Sequence, residues 1–166
     1  MSDHRTLLLM RHAKSDYPDG VPDHDRPLAP RGIRQAGLAG DWLRANAPTV
    51  DAVLCSTATR ARQTLTNTGI DAPVRYSELL YGATPGTMID EISETADTVA
   101  TLLVIGHEPT MSTLALILPD GDTDPVVAER ISAKFPTSAI AVLGVTCAWK
   151  GLEPGRAALT GFEVPR

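Results

Sequence analysis

A chain of 166 residues, 43% of them apolar and 21% charged, has the make-up of an ordinary globular protein and can enclose one continuous core, which sets aside disorder, repeats and low-complexity tracts. The formal charge of −5 speaks against general nucleic-acid binding, because a protein of that class needs a basic face to displace counterions, so any phosphate chemistry here must be local. The expectation is a single domain over residues 1–166.

Cys55 and Cys147 stand far apart and read as buried thiols rather than a disulfide framework. After Met1-Ser2-Asp3-His4-Arg5, the apolar run Thr6-Leu7-Leu8-Leu9-Met10 is too short for a secretion signal, and Arg11-His12 interrupts it. No stretch approaches the roughly 20 apolar residues of a membrane helix. A cytoplasmic protein is expected, with no nucleic-acid or membrane partner and its oligomeric state left open.

In chain order, Leu7-Leu8-Leu9-Met10 predicts a buried strand, followed by a Pro/Asp/Gly-rich loop from Asp16 to Pro30. Loops that long in a compact domain are usually functional. Pro30 opens a helix with Ile33, Ala36, Gly37, Gly40 and Leu43 on one face, closed by Pro48. Asp51 to Cys55 is a second strand, and Ser56 or Thr57 can cap a helix running through Ala58, Ala61, Leu65 and Thr68 to Gly69. Pro73 to Tyr76 is a weaker strand, and Thr84-Pro85 starts a helix with Met88, Ile89 and Ile92 inward.

Thr101 to Gly106 is the clearest strand, and Pro109 initiates an apolar helix from Met111 to Leu118 before a turn at Pro119-Asp120-Gly121-Asp122. Ala139 to Leu143 is a further strand, with Trp149 and Ala157 to Val164 as candidate hairpin strands at the sheet edge. Alternating strands and helices imply an α/β protein, a three-layer α/β/α sandwich around a mostly parallel sheet.

In an open parallel sheet the carboxyl ends of the strands share one side, where ligands bind. The first strand ends in Arg11-His12, the second in Ser56 with Arg60 one turn on, and the strand before residue 107 ends in His107. Alone, each of these is more often a loop or surface residue than a functional one; together they bring two Arg and two His to one place. A cation there would meet the charges of Arg11 and Arg60, and no HExxH or Cys-pair spacing occurs, so phosphate is the better guest and no metal or cofactor is expected. Motifs of the GxxxxGK[ST] and GxSxG kinds are missing from the sequence.

Leu9-Met10-Arg11-His12-Ala13 resembles the Arg-His signature of the histidine phosphatase superfamily. Ser56-Thr57-Ala58-Thr59-Arg60-Ala61 with Gln63-Thr64 is similar to its second motif, and Gly106-His107-Glu108-Pro109 to its third. Arg11-His12-Ala13-Lys14-Ser15, the segment Asp25-Arg26-Pro27-Leu28-Ala29-Pro30-Arg31-Gly32 and the compact length resemble the SixA-type phosphohistidine phosphatase branch.

The resemblance implies the phosphoglycerate mutase-like fold, a nucleophilic His12, and a phosphate pocket of Arg11, Arg60 and His107, with His107 serving best when protonated. It implies a phosphohistidine on His12 that water then hydrolyses, with no metal. The neutral His12 should hold its other ring nitrogen against an acceptor such as a backbone carbonyl. By the same resemblance, a carboxyl after the third strand supplies the leaving-group proton, which points to Glu78, with Asp16, Asp25 and Glu108 as competitors. Ser15 and Ser56 could add hydrogen bonds. The substrate would be a phosphorylated protein or a small phosphorylated metabolite. A phosphomutase and a non-catalytic phosphate-binding module are the rival readings.

Overall fold

A computed structural model describes residues 4–121 and 123–166. Met1, Ser2 and Asp3 of the N-terminal lead-in, and Asp122 of the expected turn, lie outside them. A six-stranded sheet forms from β1 (Arg5–Arg11), β2 (Ala52–Ser56), β3 (Val74–Ser77), β4 (Thr101–Gly106), β5 (Ile140–Val145) and β6 (Ala157–Glu163) in the order β3-β2-β4-β1-β5-β6. The first four strands are mutually parallel; β5 runs antiparallel to β1, and β6 antiparallel to β5. Among the described residues five α-helices cover the sheet: α1 (Pro30–Asn46), α2 (Thr59–Thr68), α3 (Pro85–Ser93), α4 (Thr110–Ile117) and α5 (Pro125–Ala133).

The continuous apolar runs of β1 and β4 follow from this layering, since side chains alternate between two faces that are both covered. Leu7 and Leu9 join Leu54, Leu102 and Val104 in a core with Met88, Ile92, Met111, Leu114 and Ile131, from α3, α4 and α5. Leu8 and Met10 join Val53, Leu103 and Ile105 against Ala39, Leu43, Ala61 and Leu65, from α1 and α2.

The structure departs from the sequence reading in five places, the first being that α2 has Ala58 at its N-cap with no side-chain cap, rather than Ser56 or Thr57. Ile33 is 48% exposed, and the buried face of α1 is Gly32, Gln35, Ala36, Ala39, Gly40 and Leu43. Trp149 forms no strand; it sits fully buried in a 3-10 turn, Trp149–Gly151, and its indole N–H donates to the Val99 carbonyl at 2.9 Å. Cys147 is half-buried, whereas Cys55 is fully enclosed. Helix α5 goes unread in the sequence, although Asp124 caps it by accepting from the Val126 N–H and Pro125 opens it, because its inward stripe is only Val127 and Ile131.

Gly40 sets the spacing of α1 and α2, since a Cβ there would lie 2.0 Å from the carbonyl oxygen of Thr68. Gly40→Ala gains up to about 1 kcal/mol of helix propensity but forces two backbones apart, so a net loss of about 1–3 kcal/mol is expected. Urea denaturation measures it, and an unchanged midpoint would mean that the helix pair yields freely.

Candidate functional site

The carboxyl ends of β1, β2 and β4 do meet on one side of the sheet. The ladder between β1 and β4 continues one step past the strands, with the His12 N–H donating to the Gly106 carbonyl at 3.0 Å, and this sets His12 beside His107 with ring centroids 5.1 Å apart. Helix α2 is tied to the same point through Thr64. Its hydroxyl accepts from the Ala13 N–H at 2.9 Å and donates to the Arg60 carbonyl at 2.6 Å. The Ser138 N–H, in the turn before β5, lies 3.1 Å from both the Arg11 and the His12 carbonyl oxygens.

The His12 ring is oriented by its neighbour in sequence: Nδ1 lies 2.8 Å from the Ala13 carbonyl oxygen, which can only accept, so Nδ1 carries the proton. Nε2 is then the lone-pair nitrogen. Burial lowers the pKa of His12 to about 3, opposed by that hydrogen bond and reinforced by the like charges of His107, Arg60 and Arg11. The imidazole is therefore neutral at physiological pH. Burial first, then Arg60, lowers the pKa of His107 to about 4, a shift away from the protonated form in which it would serve best. Its Nε2 is 2.8 Å from Ser56 Oγ, and that oxygen accepts from the Ala58 N–H. Ser56 thus serves both the turn into α2 and His107.

Arg60 is buried, 6% exposed, although it stands on the first turn of a short helix. Its guanidinium donates to the Asp23 carbonyl at 2.7 Å and to Asp23 Oδ2 at 3.1 Å, and the Tyr81 hydroxyl donates to the same Oδ2 at 2.5 Å. Arg26 pairs with Asp23 Oδ1 at 3.0 Å and donates to Ser15 Oγ at 2.7 Å. The Tyr81 hydrogen bond, with those of Arg26 and Arg60, holds the Asp23 carboxyl well below the usual carboxylate range. The loop after His12 is accordingly tied down by Arg26 and borders the site through Asp23. Arg11 donates to the Phe135 carbonyl at 3.1 Å, and burial lowers its pKa against the pull of Glu108. The Nε atoms of Arg11 and Arg60 and Nδ1 of His107 are buried without a partner, and such unsatisfied groups mark a place for a ligand.

Two clefts open here. One, of about 220 Å³, is polar and lined by Arg11, His12, Lys14, Arg26, Arg60 and Glu108 among others. The second, of about 600 Å³, shares Arg60, His107 and Glu108 with it and extends past Tyr81, Ala83 and Pro85. The first suits an oxyanion and the second the group attached to it.

Arg11, His12, Arg60 and His107 are thus brought together, and Ser15 lies in the small cleft. Glu78 stands exposed at the start of the 3-10 turn Glu78–Leu80 after β3 and lines neither cleft. Asp16 and Asp25 are exposed and line neither cleft, whereas Glu108 lines both and accepts from the Ser112 N–H and hydroxyl at 2.6 and 2.7 Å. Asp23 and Tyr81 were missed as members of the site. The acidic loop gave a signal for the first, and no motif points to the second.

Both imidazoles bind a proton more weakly in the folded than in the unfolded chain. Above pH 6.5 they cost nothing; as pH falls below 6.5 the unfolded chain takes up protons that the folded chain refuses, so stability drops until about pH 4 for His107 and about pH 3 for His12. Thermal unfolding between pH 7 and 4.5 should show a steeper loss for the parent than for a His12→Asn/His107→Asn variant. Equal slopes would contradict the depressed values.

The profile of the histidine phosphatase superfamily (branch 1) matches residues 7–99. An uncharacterized protein of Mycobacterium tuberculosis (strain H37Rv) is 72% identical over 158 residues, covering 95% of this chain and all of that one. Phosphohistidine phosphatase SixA of Escherichia coli K12 is 32% identical over 142 residues, 81% of this chain and 82% of its own. A solved structure of a candidate SixA phosphohistidine phosphatase from Nakamurella multipartitia superposes with a TM-score of 0.90 at 41% identity, covering 98% of this chain and 96% of that one.

Proposed function

Because the chain belongs to the histidine phosphatase superfamily and is a phosphatase, we propose that it hydrolyses phosphohistidine, or a small phosphate monoester, through a phosphohistidine formed on His12 and without a metal ion. The observation that supports this reading is the His12 imidazole itself, neutral, with Nδ1 committed to the Ala13 carbonyl, which leaves the lone pair on Nε2, in a residue that lines a cleft with guanidiniums.

Nε2 attacks phosphorus, the bond from phosphorus to the leaving nitrogen or oxygen breaks, and its electron pair departs with the leaving group. Water then attacks the phosphorus on His12, the P–N bond breaks back to Nε2, and inorganic phosphate leaves. The charge spread over the equatorial oxygens is met by Arg11 and Arg60, and by His107 once an arriving dianion raises its affinity for a proton. A leaving alkoxide needs a proton. Glu108, on the wall shared by the two clefts, is better placed to give it than the exposed Glu78 proposed from sequence. A leaving imidazole needs that help less, which together with the SixA relatives favours the phosphohistidine substrate over the small ester. A cytoplasmic location and a phosphorylated protein partner belong to the same proposal.

Label from a ³²P-substrate should stay on His12 after an alkaline quench and disappear after an acid quench, and EDTA should leave the rate unchanged. Acid-stable label would mean another nucleophile, such as Ser15 or Ser56, and loss of rate in EDTA would mean a metal enzyme. Label passed to an acceptor instead of to inorganic phosphate would favour the mutase reading, and no label with no turnover the binding module.

A further inference from the structure

Behind the loop that carries His12 lies a separate cleft of about 290 Å³, lined by Arg31, Arg34, Gln35, Leu38 and Arg166. Arg31 and Arg34 stand on the first turns of α1, whose N-cap, Ala29, contributes no side-chain hydrogen bond. Arg166 reaches in from the residues after β6, its Nη1 donating to the carbonyls of Pro165 at 2.8 Å and Thr137 at 3.1 Å and to Ser138 Oγ at 3.2 Å. Among the described residues no carboxylate pairs with any of the three. In a chain with a net charge of −5, three guanidiniums with no side-chain carboxylate paired to them gather in this one cleft.

Gln35 supplies the independent observation. Its side chain is buried, the residue only 3% exposed. Oε1 accepts from the Lys14 N–H at 3.0 Å and the Thr137 hydroxyl at 3.0 Å, and the Lys14 donor fixes which end of the amide is oxygen. Nε2 is therefore a two-proton donor, and it is buried with no partner. A buried donor without an acceptor costs free energy that an incoming oxygen would recover. Burial, and after it the like charge of Arg31, lowers the Arg166 pKa.

We propose that this cleft is a second anion-binding site, in which Arg31, Arg34, Arg166 and the Gln35 side-chain amide hold a phosphate or carboxylate group. Guanidiniums present planar pairs of donors suited to both oxyanions, and the amide adds a neutral donor that selects for a bound oxygen over a merely neighbouring one. The site adjoins the His12 cleft, because Lys14 and Thr137 line that cleft and both hydrogen-bond Gln35.

The test uses the ¹⁵N-labelled protein, titrated with inorganic phosphate and, separately, with a hexaglutamate peptide, reading the Gln35 side-chain amide resonances. A saturable shift is expected with at least one probe, weakened about tenfold or more in Arg31→Ala/Arg34→Ala, whose exposed positions leave the core intact. The shift should persist in Arg60→Ala, which separates this cleft from the one at His12. A response to phosphate alone assigns the site to small anions; a response to the peptide alone, to acidic segments of a protein. Silence of Gln35 with both probes, an undiminished shift in the double variant, or loss of the shift in Arg60→Ala would overturn the proposal. No turnover is read, so an inactive protein whose Gln35 responds would defeat the phosphatase mechanism and leave this site standing.

Discussion

His12→Ala is expected to lose turnover by about 10⁴-fold or more with its fold intact, because the atom that attacks phosphorus is gone and no positioned donor can replace it. The substitution removes the hydrogen bond to Ala13, worth about 1 kcal/mol, and because the imidazole is neutral in folded and unfolded chain above pH 6.5, no charge effect offsets that loss at neutral pH. Hydrolysis of an aromatic phosphate ester and the thermal unfolding midpoint, measured on the same preparation, separate chemistry from folding. Activity within tenfold of the parent would end the covalent mechanism.

Arg60→Ala should lower kcat/KM by on the order of 10²–10³, the scale of losing one preorganised donor to a developing oxyanion. Arg60→Lys should recover only part, since an ammonium cannot reproduce the planar fork. Arg60 also anchors Asp23, and a loosened loop could slow the enzyme by itself. Asp23→Asn separates the causes: it weakens the loop contact while leaving the guanidinium in the cleft, and it should cost far less than Arg60→Ala. Comparable losses in the two variants would assign the effect of Arg60 to the loop and not to phosphate.

Much of the fold is legible because its central strands are covered on both faces. Leu7 to Met10 and Leu102 to Ile105 are continuous apolar runs for that reason, and their ends name His12 and His107. Legibility fails where tertiary context decides. The spacing of Ile33 suits the face of Ala36, Gly40 and Leu43, yet α1 turns Gln35 and Ala39 inward with them and leaves Ile33 in solvent. Trp149 has strand propensity but fills a core position from a 3-10 turn. In the site, the contact of Asp23 with Arg60 and Tyr81 joins a loop, a helix and the turn after β3 by side-chain reach, which no spacing encodes. The neutral state of His107 depends on burial, which the motif around it does not specify.

The pairing of β1 with β4 aligns Thr6 with Thr101 and Arg11 with Gly106. The two imidazoles are thereby contributed by neighbouring strands that α1, β2, α2, β3 and α3 separate in the chain. Pairings between residues so distant in the chain must overcome a large loop-closure entropy before they gain any contact, and they form late and slowly. A partly folded chain, or a nascent one released before β4, carries the His12 nitrogen without the His107 side of its pocket. During refolding, the return of turnover would therefore mark closure of the middle of the sheet, later than the return of helical signal from α1 and α2.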